Sequence, residues 1–162
     1  MKQEKLTHID SSGNPQMVDV SEKTPTRRVA RARARVQVGP AILEKIRDNE
    51  LMTKKGPVFQ TAIIAGIAGA KKTSELIPLC HPLGLEDCHV AITVDRDTIV
   101  VEATATVTAK TGVEMEALTA ASTAALTIYD MCKALSHDIV ISDIMLMEKT
   151  GGKSDYRREQ NE

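Results

Sequence analysis

The stretch TGVEMEALTAASTAALTIYDMCKAL, from Thr111 to Leu135, decides the fold. Glu114, Leu118, Ala121, Ala125, Ile128, Cys132 and Leu135 recur at steps of four and three, which marks the core-facing stripe of one long helix. Thr111, three residues ahead of Glu114, has the form of a capping box and predicts a helix start near Gly112. Many of the other side chains are Ala, Ser or Thr, small enough to let a second backbone come close. A separate line along the helix is polar. Glu116, Thr123, Thr127 and Asp130 fall within about 40° of one another at roughly 100° per residue, and Lys133 lies beside Asp130. Packing alone does not call for a polar stripe that ends in an Asp/Lys pair.

The segments on either side of this helix alternate. Before it, Cys88, Val90, Ile92 and Val94 interleave with polar or small residues, and after Asp95-Arg96-Asp97 so do Ile99, Val101, Ala103, Ala105 and Val107. That pattern is a β-hairpin. After the helix comes one more strand, near Ile139 to Met147. Toward the N-terminus, Ala30, Ala32, Ala34, Val36 and Val38 line one face of a strand, with Arg31, Arg33, Arg35 and Gln37 on the other. Gly39-Pro40 ends it and predicts a helix from Pro40 to about Asp48. A loop holding Lys54-Lys55-Gly56-Pro57 leads to a second helix over about Val58 to Lys72. Leu76 to Leu83 carries two prolines and is neither helix nor central strand. The order β-α-α-β-β-α-β predicts an α+β fold: a ferredoxin-like split β-α-β sandwich with an extra helix, its antiparallel sheet covered by helices. Residues 1–28 read as a polar arm, 29–150 as one domain and 151–162 as a flexible tail.

Composition narrows the class. At 162 residues the chain can bury its own core. A net charge of −1 offers nothing global to nucleic acid or an anionic membrane. Aromatic residues make up 2%, too few for a base-stacking platform. Three unpatterned cysteines suit a reducing compartment. No apolar run approaches the roughly 20 residues of a membrane span, and MKQEKLTHID lacks the apolar centre of a signal peptide. The expectation is a cytoplasmic protein.

Individual residues give weaker signals. The arginines from Arg27 to Arg35 suit a solvated strand face, a nucleic-acid stripe, or an anion pocket that uses one or two of them. MEKTGGKS has Met147 where a phosphate loop needs glycine, and no helix can follow it. Cys80-His81 and Cys88-His89 match no zinc spacing, so no metal site is expected. His81 lies in a loop fixed by two prolines, where a positioned imidazole is useful. Asp130 and Lys133 are explained on periodicity alone as a surface pair, and Glu114 as a cap. Glu116 lies off both the cap and the apolar stripe. A nucleic-acid binder and a ferredoxin-like small-molecule sensor without chemistry are the other classes that fit.

In order along the chain stand MVDVS (Met17 to Ser21), KKGPVF (Lys54 to Phe59), IAGIAGAKKT (Ile64 to Thr73), LIPLCHPL (Leu76 to Leu83), KTGVEMEALTAAS (Lys110 to Ser122), ALTIYDMCKA (Ala125 to Ala134) and KTGGKS (Lys149 to Ser154). The chain closely resembles the MoaC family of molybdenum cofactor biosynthesis from Leu6 to about Ser154. The resemblance implies a lyase that converts 3′,8-cyclo-7,8-dihydroguanosine 5′-triphosphate into cyclic pyranopterin monophosphate and releases pyrophosphate. It implies a homohexamer, a trimer of dimers, with the sites at the dimer interface. Carried over residue by residue, the catalytic positions fall on Asp130, Lys133, Lys55 (or its neighbour Lys54) and His81. The substrate contacts fall on Leu79, Cys80, His81, Met115, Glu116, Lys149 and, next to Arg27, Arg28. No cofactor is required, although magnesium could accompany the triphosphate. The residue types suit the chemistry. Rebuilding a purine ring moves protons, and expelling pyrophosphate develops charge that lysines and an arginine stabilise.

Overall fold

Alternation along the strand β1, Thr26–Gln37, makes it the centre of the sheet. Ala30, Ala32, Ala34 and Val36 on one face are at most 1% exposed. Every intervening arginine keeps its polar head on the other face, because successive side chains point to opposite sides of a strand. The structure is a computed structural model and describes residues 9–159.

After β1 come helix α1 (Pro40–Leu43) and the short strands β2 (Ile46–Arg47), β3 (Glu50–Thr53) and β4 (Gly56–Pro57). Helices α2 (Val58–Lys71) and α3 (Thr73–Leu76) follow, then strands β5 (Asp87–Asp95) and β6 (Thr98–Ala109). Helix α4 (Glu114–Cys132) and strands β7 (Val140–Thr150) and β8 (Tyr156–Arg157) complete the described chain. The main sheet has the order β5-β6-β1-β7-β8 with antiparallel pairing throughout, and α2 and α4 cover its alanine-rich face. Its first four strands have the split β-α-β arrangement expected of a ferredoxin-like α+β fold. Among the described residues no helix is long and apolar enough to cross a membrane.

Three local expectations need correction. The helix expected from Pro40 to Asp48 stops at Leu43. Asp48 and Asn49 both have positive φ (51° and 58°) and form the two-residue turn of a hairpin between β2 and β3. Asp and Asn tolerate that conformation better than other side chains, so the local turn chemistry prevails over helix continuation. The loop expected around Lys54-Lys55 is the turn between β3 and β4. The capping box at the start of α4 does not form, because no side chain caps that helix and Glu114 bonds elsewhere. The stripe of α4 that is fully buried consists of Ala117, Ala120, Ala121, Ala124, Ala125, Ile128 and Cys132, whereas Leu135 lies beyond the helix and is exposed.

The small side chains serve a contact within one chain. A Cβ at Gly69 would lie 2.4 Å from Thr123 Oγ1, and one at Gly66 would lie 3.0 Å from the Ala120 carbonyl. The close approach of α2 to α4 therefore depends on both glycines. The start of α2 is capped from a distance. Glu50 accepts hydrogen bonds from the amides of Phe59 (2.8 Å) and Gln60 (3.1 Å), because Pro57 at the N-cap position offers no side-chain acceptor. Glu50→Ala is expected to lower stability by about 1–2 kcal/mol in urea unfolding at fixed protein concentration. Loss of less than a few tenths would mean that water caps this helix equally well.

Candidate active site

Asp130 lies in the last turn of α4, where 3.6-residue spacing places Lys133 next to it. The Lys133 ammonium meets Asp130 Oδ1 at 2.7 Å, and the Lys55 ammonium meets Oδ2 at 2.7 Å and the Asp130 carbonyl at 2.9 Å. Lys55 reaches this point because it sits in the turn between β3 and β4. It is the lysine of the 54–55 pair whose ammonium meets Asp130. All three side chains are about half exposed. Hydrogen bonds from Lys133 and then Lys55 hold the Asp130 carboxyl well below its ordinary range, down to about 2. The same contact raises Lys133, first through the hydrogen bond and then through the charge of Asp130. The cluster is thus an ionised carboxylate gripped by two ammonium groups.

The other candidate residues gather at the opposite end of α4. Leu79, Cys80, His81, Met115 and Glu116 line a cavity of about 410 Å³, together with Val18, Val20 and Lys23 from the segment before β1. His81 Nε2 lies 2.7 Å from the Val18 carbonyl, which can only accept, so Nε2 carries a proton and donates it there. Lys110 secures the same segment by donating to the Ser21 carbonyl at 2.6 Å. Burial raises the Cys80 thiol, and the nearby Glu116 charge adds to this, so Cys80 contributes shape and backbone rather than a thiolate.

Glu116 is 4% exposed, and desolvation followed by the charge of Glu114 pushes its carboxyl above the ordinary value of 4.5. A carboxyl raised in the folded state contributes stability that is complete below its unfolded value and is lost as pH rises through the folded one. Glu116→Gln is therefore expected to be more stable than the unsubstituted protein at pH 8. Urea midpoints at the two pH values should show this advantage narrowing at pH 5. An advantage that is constant with pH would mean that Glu116 is not the titrating group.

A second, adjoining cavity of about 160 Å³ is lined by Arg28, Gly112, Glu114, Lys149, Gly152, Lys153 and others. Arg28 donates from Nε to the Ala109 carbonyl (3.0 Å) and from Nη2 to the Lys110 carbonyl (3.3 Å), which fixes its fork at the end of β6. Lys149 Nζ pairs with Glu114 Oε1 at 3.1 Å. The cavity therefore presents several cations and one carboxylate, an arrangement suited to an anionic ligand.

Three other arginines of β1 are engaged elsewhere. Arg31 and Arg33 pair with Glu102 at 3.1 and 2.8 Å, and Arg35 lies 3.8 Å from Asp143, all on the open face of the sheet. A charge-paired strand face therefore describes Arg31, Arg33 and Arg35, whereas Arg28 lines the small cavity beside Lys149. Among the described residues no group of three or more His, Cys, Asp or Glu side chains is placed to hold a metal ion. The sequence reading missed Glu114 as a partner of Lys149, Val18, Val20 and Lys23 as parts of the cavity wall, and Lys110 as the tether of Ser21. Only the charged and glycine residues of KTGVE, Lys110 to Glu114, hint at part of this set.

The structure thus brings the candidates together in two groups, one at each end of α4, and not in one. The sequence pattern of the MoaC family matches residues 17–152. The chain is 53% identical over 158 residues to a cyclic pyranopterin monophosphate synthase of Heliobacterium modesticaldum, covering 96% of this chain and 98% of the relative. It is 56% identical over 155 residues to cyclic pyranopterin monophosphate synthase 1 of Mycobacterium tuberculosis, covering 94% and 90%. It is also 53% identical over 157 residues to molybdenum cofactor biosynthesis protein 1 of Drosophila melanogaster, where it covers 96% of this chain and 27% of that longer protein. A family pattern over most of its length and relatives matched nearly end to end lead to one conclusion: this chain belongs to the MoaC family.

Proposed function

We propose that this chain converts 3′,8-cyclo-7,8-dihydroguanosine 5′-triphosphate into cyclic pyranopterin monophosphate, with release of pyrophosphate, as a lyase of molybdenum cofactor biosynthesis. The observation that carries the reading is the Lys55–Asp130–Lys133 cluster in a member of this family. Asp130 holds both lysine side chains beside it at 2.7 Å, where each ammonium can give a proton to a nitrogen or oxygen of the rearranging ring. Loss of either proton removes a cation from beside Asp130, and the carboxylate then becomes a better base. One exposed cluster can in this way donate and recover protons in turn.

The other end of α4 binds. Leu79, Cys80, Met115 and the buried Glu116 hold the ring, and His81 holds the wall of the cavity and can exchange a proton at Nδ1. Arg28 and Lys149 meet the triphosphate and stabilise the charge that develops on departing pyrophosphate. No resident cofactor enters the reading, and magnesium would arrive with the triphosphate. Fourteen residues of α4 separate Glu116 from Asp130, which places their Cα atoms about 21 Å apart at 1.5 Å per residue. One compact reaction centre needs the two clusters from different copies of the chain. A two-fold dimer supplies this reciprocally, and three such dimers would make a homohexamer with its sites at the dimer interfaces. The chain would work in the cytoplasm.

The test is pyrophosphate release from the cyclised triphosphate, with GTP as the control. Release from the cyclised compound together with a pterin product is expected, and none from GTP. Equal release from both would make the protein a general triphosphatase and overturn the reading.

A further inference from the structure

Glu114 is the first residue of α4, a helix of 19 residues whose leading amides have no side-chain cap. Its carboxylate folds back over Gly112 so closely that a Cβ there would lie 1.9 Å from Glu114 Oε2. The other oxygen takes the Lys149 ammonium at 3.1 Å. The carboxylate thus occupies the space between a helix N-terminus and a lysine, in a cavity that Arg28 and Lys153 also line. That is where an external anion would be held. Gly152 also lines this cavity, and a Cβ on it would lie 3.1 Å from Arg28 Nη1.

We propose that Glu114 is the internal counter-anion of the phosphate seat. It holds Lys149 in the absence of substrate, gives way to the triphosphate, and returns to Lys149 to displace pyrophosphate after the reaction. The proposal rests on the reading that Arg28 and Lys149 bind the triphosphate. It makes Glu114 a specificity-determining residue. A tail of several negative charges can outcompete one carboxylate for Lys149, whereas a singly phosphorylated nucleotide gains little by doing so. It also explains why residue 112 is glycine: any side chain there would push the carboxylate off its seat.

The experiment titrates the full-length chain with inorganic pyrophosphate and tripolyphosphate by calorimetry at low salt. Glu114→Gln and Glu114→Ala are compared with the unsubstituted protein, each also in a Lys149→Met background. Both Glu114 variants are expected to bind either anion about fivefold or more tightly, as removal of a competing, partly exposed charge allows. In steady-state turnover they should show correspondingly stronger product inhibition by pyrophosphate. In the Lys149→Met background the gain should shrink below about twofold, because the competition is for that lysine. Unchanged or weaker anion binding in whichever Glu114 variants fold, while Lys149→Met still loses affinity, would overturn the counter-anion and leave the phosphate seat standing. No loss on Lys149→Met would instead show that the seat itself was misplaced, and the proposal would fall with it.

Discussion

Asp130→Asn is expected to lower turnover by about 10²–10⁴-fold, the range of a general acid–base group, with fold and assembly unchanged. The substitution is nearly isosteric at an exposed position, so it removes little packing. It does remove the charge that organises two lysines. With Lys133 no longer raised by its neighbour, its ammonium should titrate at lower pH, which NMR of the side chain can follow. The pH dependence has a definite sign. Because the Asp130 carboxyl is held near 2, it stays ionised through the neutral range, and any acidic limb of the rate profile above pH 5 belongs to another group. Its contribution to stability is present above the ordinary value of 3.8 and is lost as pH falls toward 2, so the difference between the two proteins in acid melts should vanish there. Near-normal activity in a folded Asp130→Asn protein would contradict the role given to this residue.

The sheet was legible in the sequence because one face of each central strand is buried. Ala30 to Val38 and Ile99 to Val107 alternate with period two, and burial leaves that period no freedom to slip. The small β2–β3–β4 sheet was not legible, because Asp48-Asn49 fits a helix end as readily as a hairpin turn. Glu114 shows the limit of local reasoning in another way. Its spacing from Thr111 satisfies the capping rule, yet a lysine 35 positions away takes its carboxylate. Lys55 and Asp130, 75 positions apart, cannot be joined by any periodicity; the family resemblance alone links them in the sequence, and the fold brings them to 2.7 Å. The small residues of α4 do form a surface for close approach, and the backbone that meets it is α2 of the same chain.

The central claim is that one reaction centre is shared by two copies of the chain, and it is tested most directly by mixing subunits. Glu116→Ala leaves each chain without the buried carboxyl of the binding cavity, and Asp130→Asn leaves each chain without the proton-transfer cluster. Either variant alone should be inactive. In a dimer of one chain of each kind, one site lacks both residues and the other has both intact, because a two-fold interface repeats every contact reciprocally. Random reassembly at equal concentrations should therefore restore about a quarter of the activity of the unsubstituted protein, since about half the dimers are mixed and each holds one complete site. Mass spectrometry of the assembled species establishes that mixing has occurred. Recovery near that fraction is the predicted result. Verified mixed oligomers that remain as inactive as their parents would contradict it and show that each chain serves its own site.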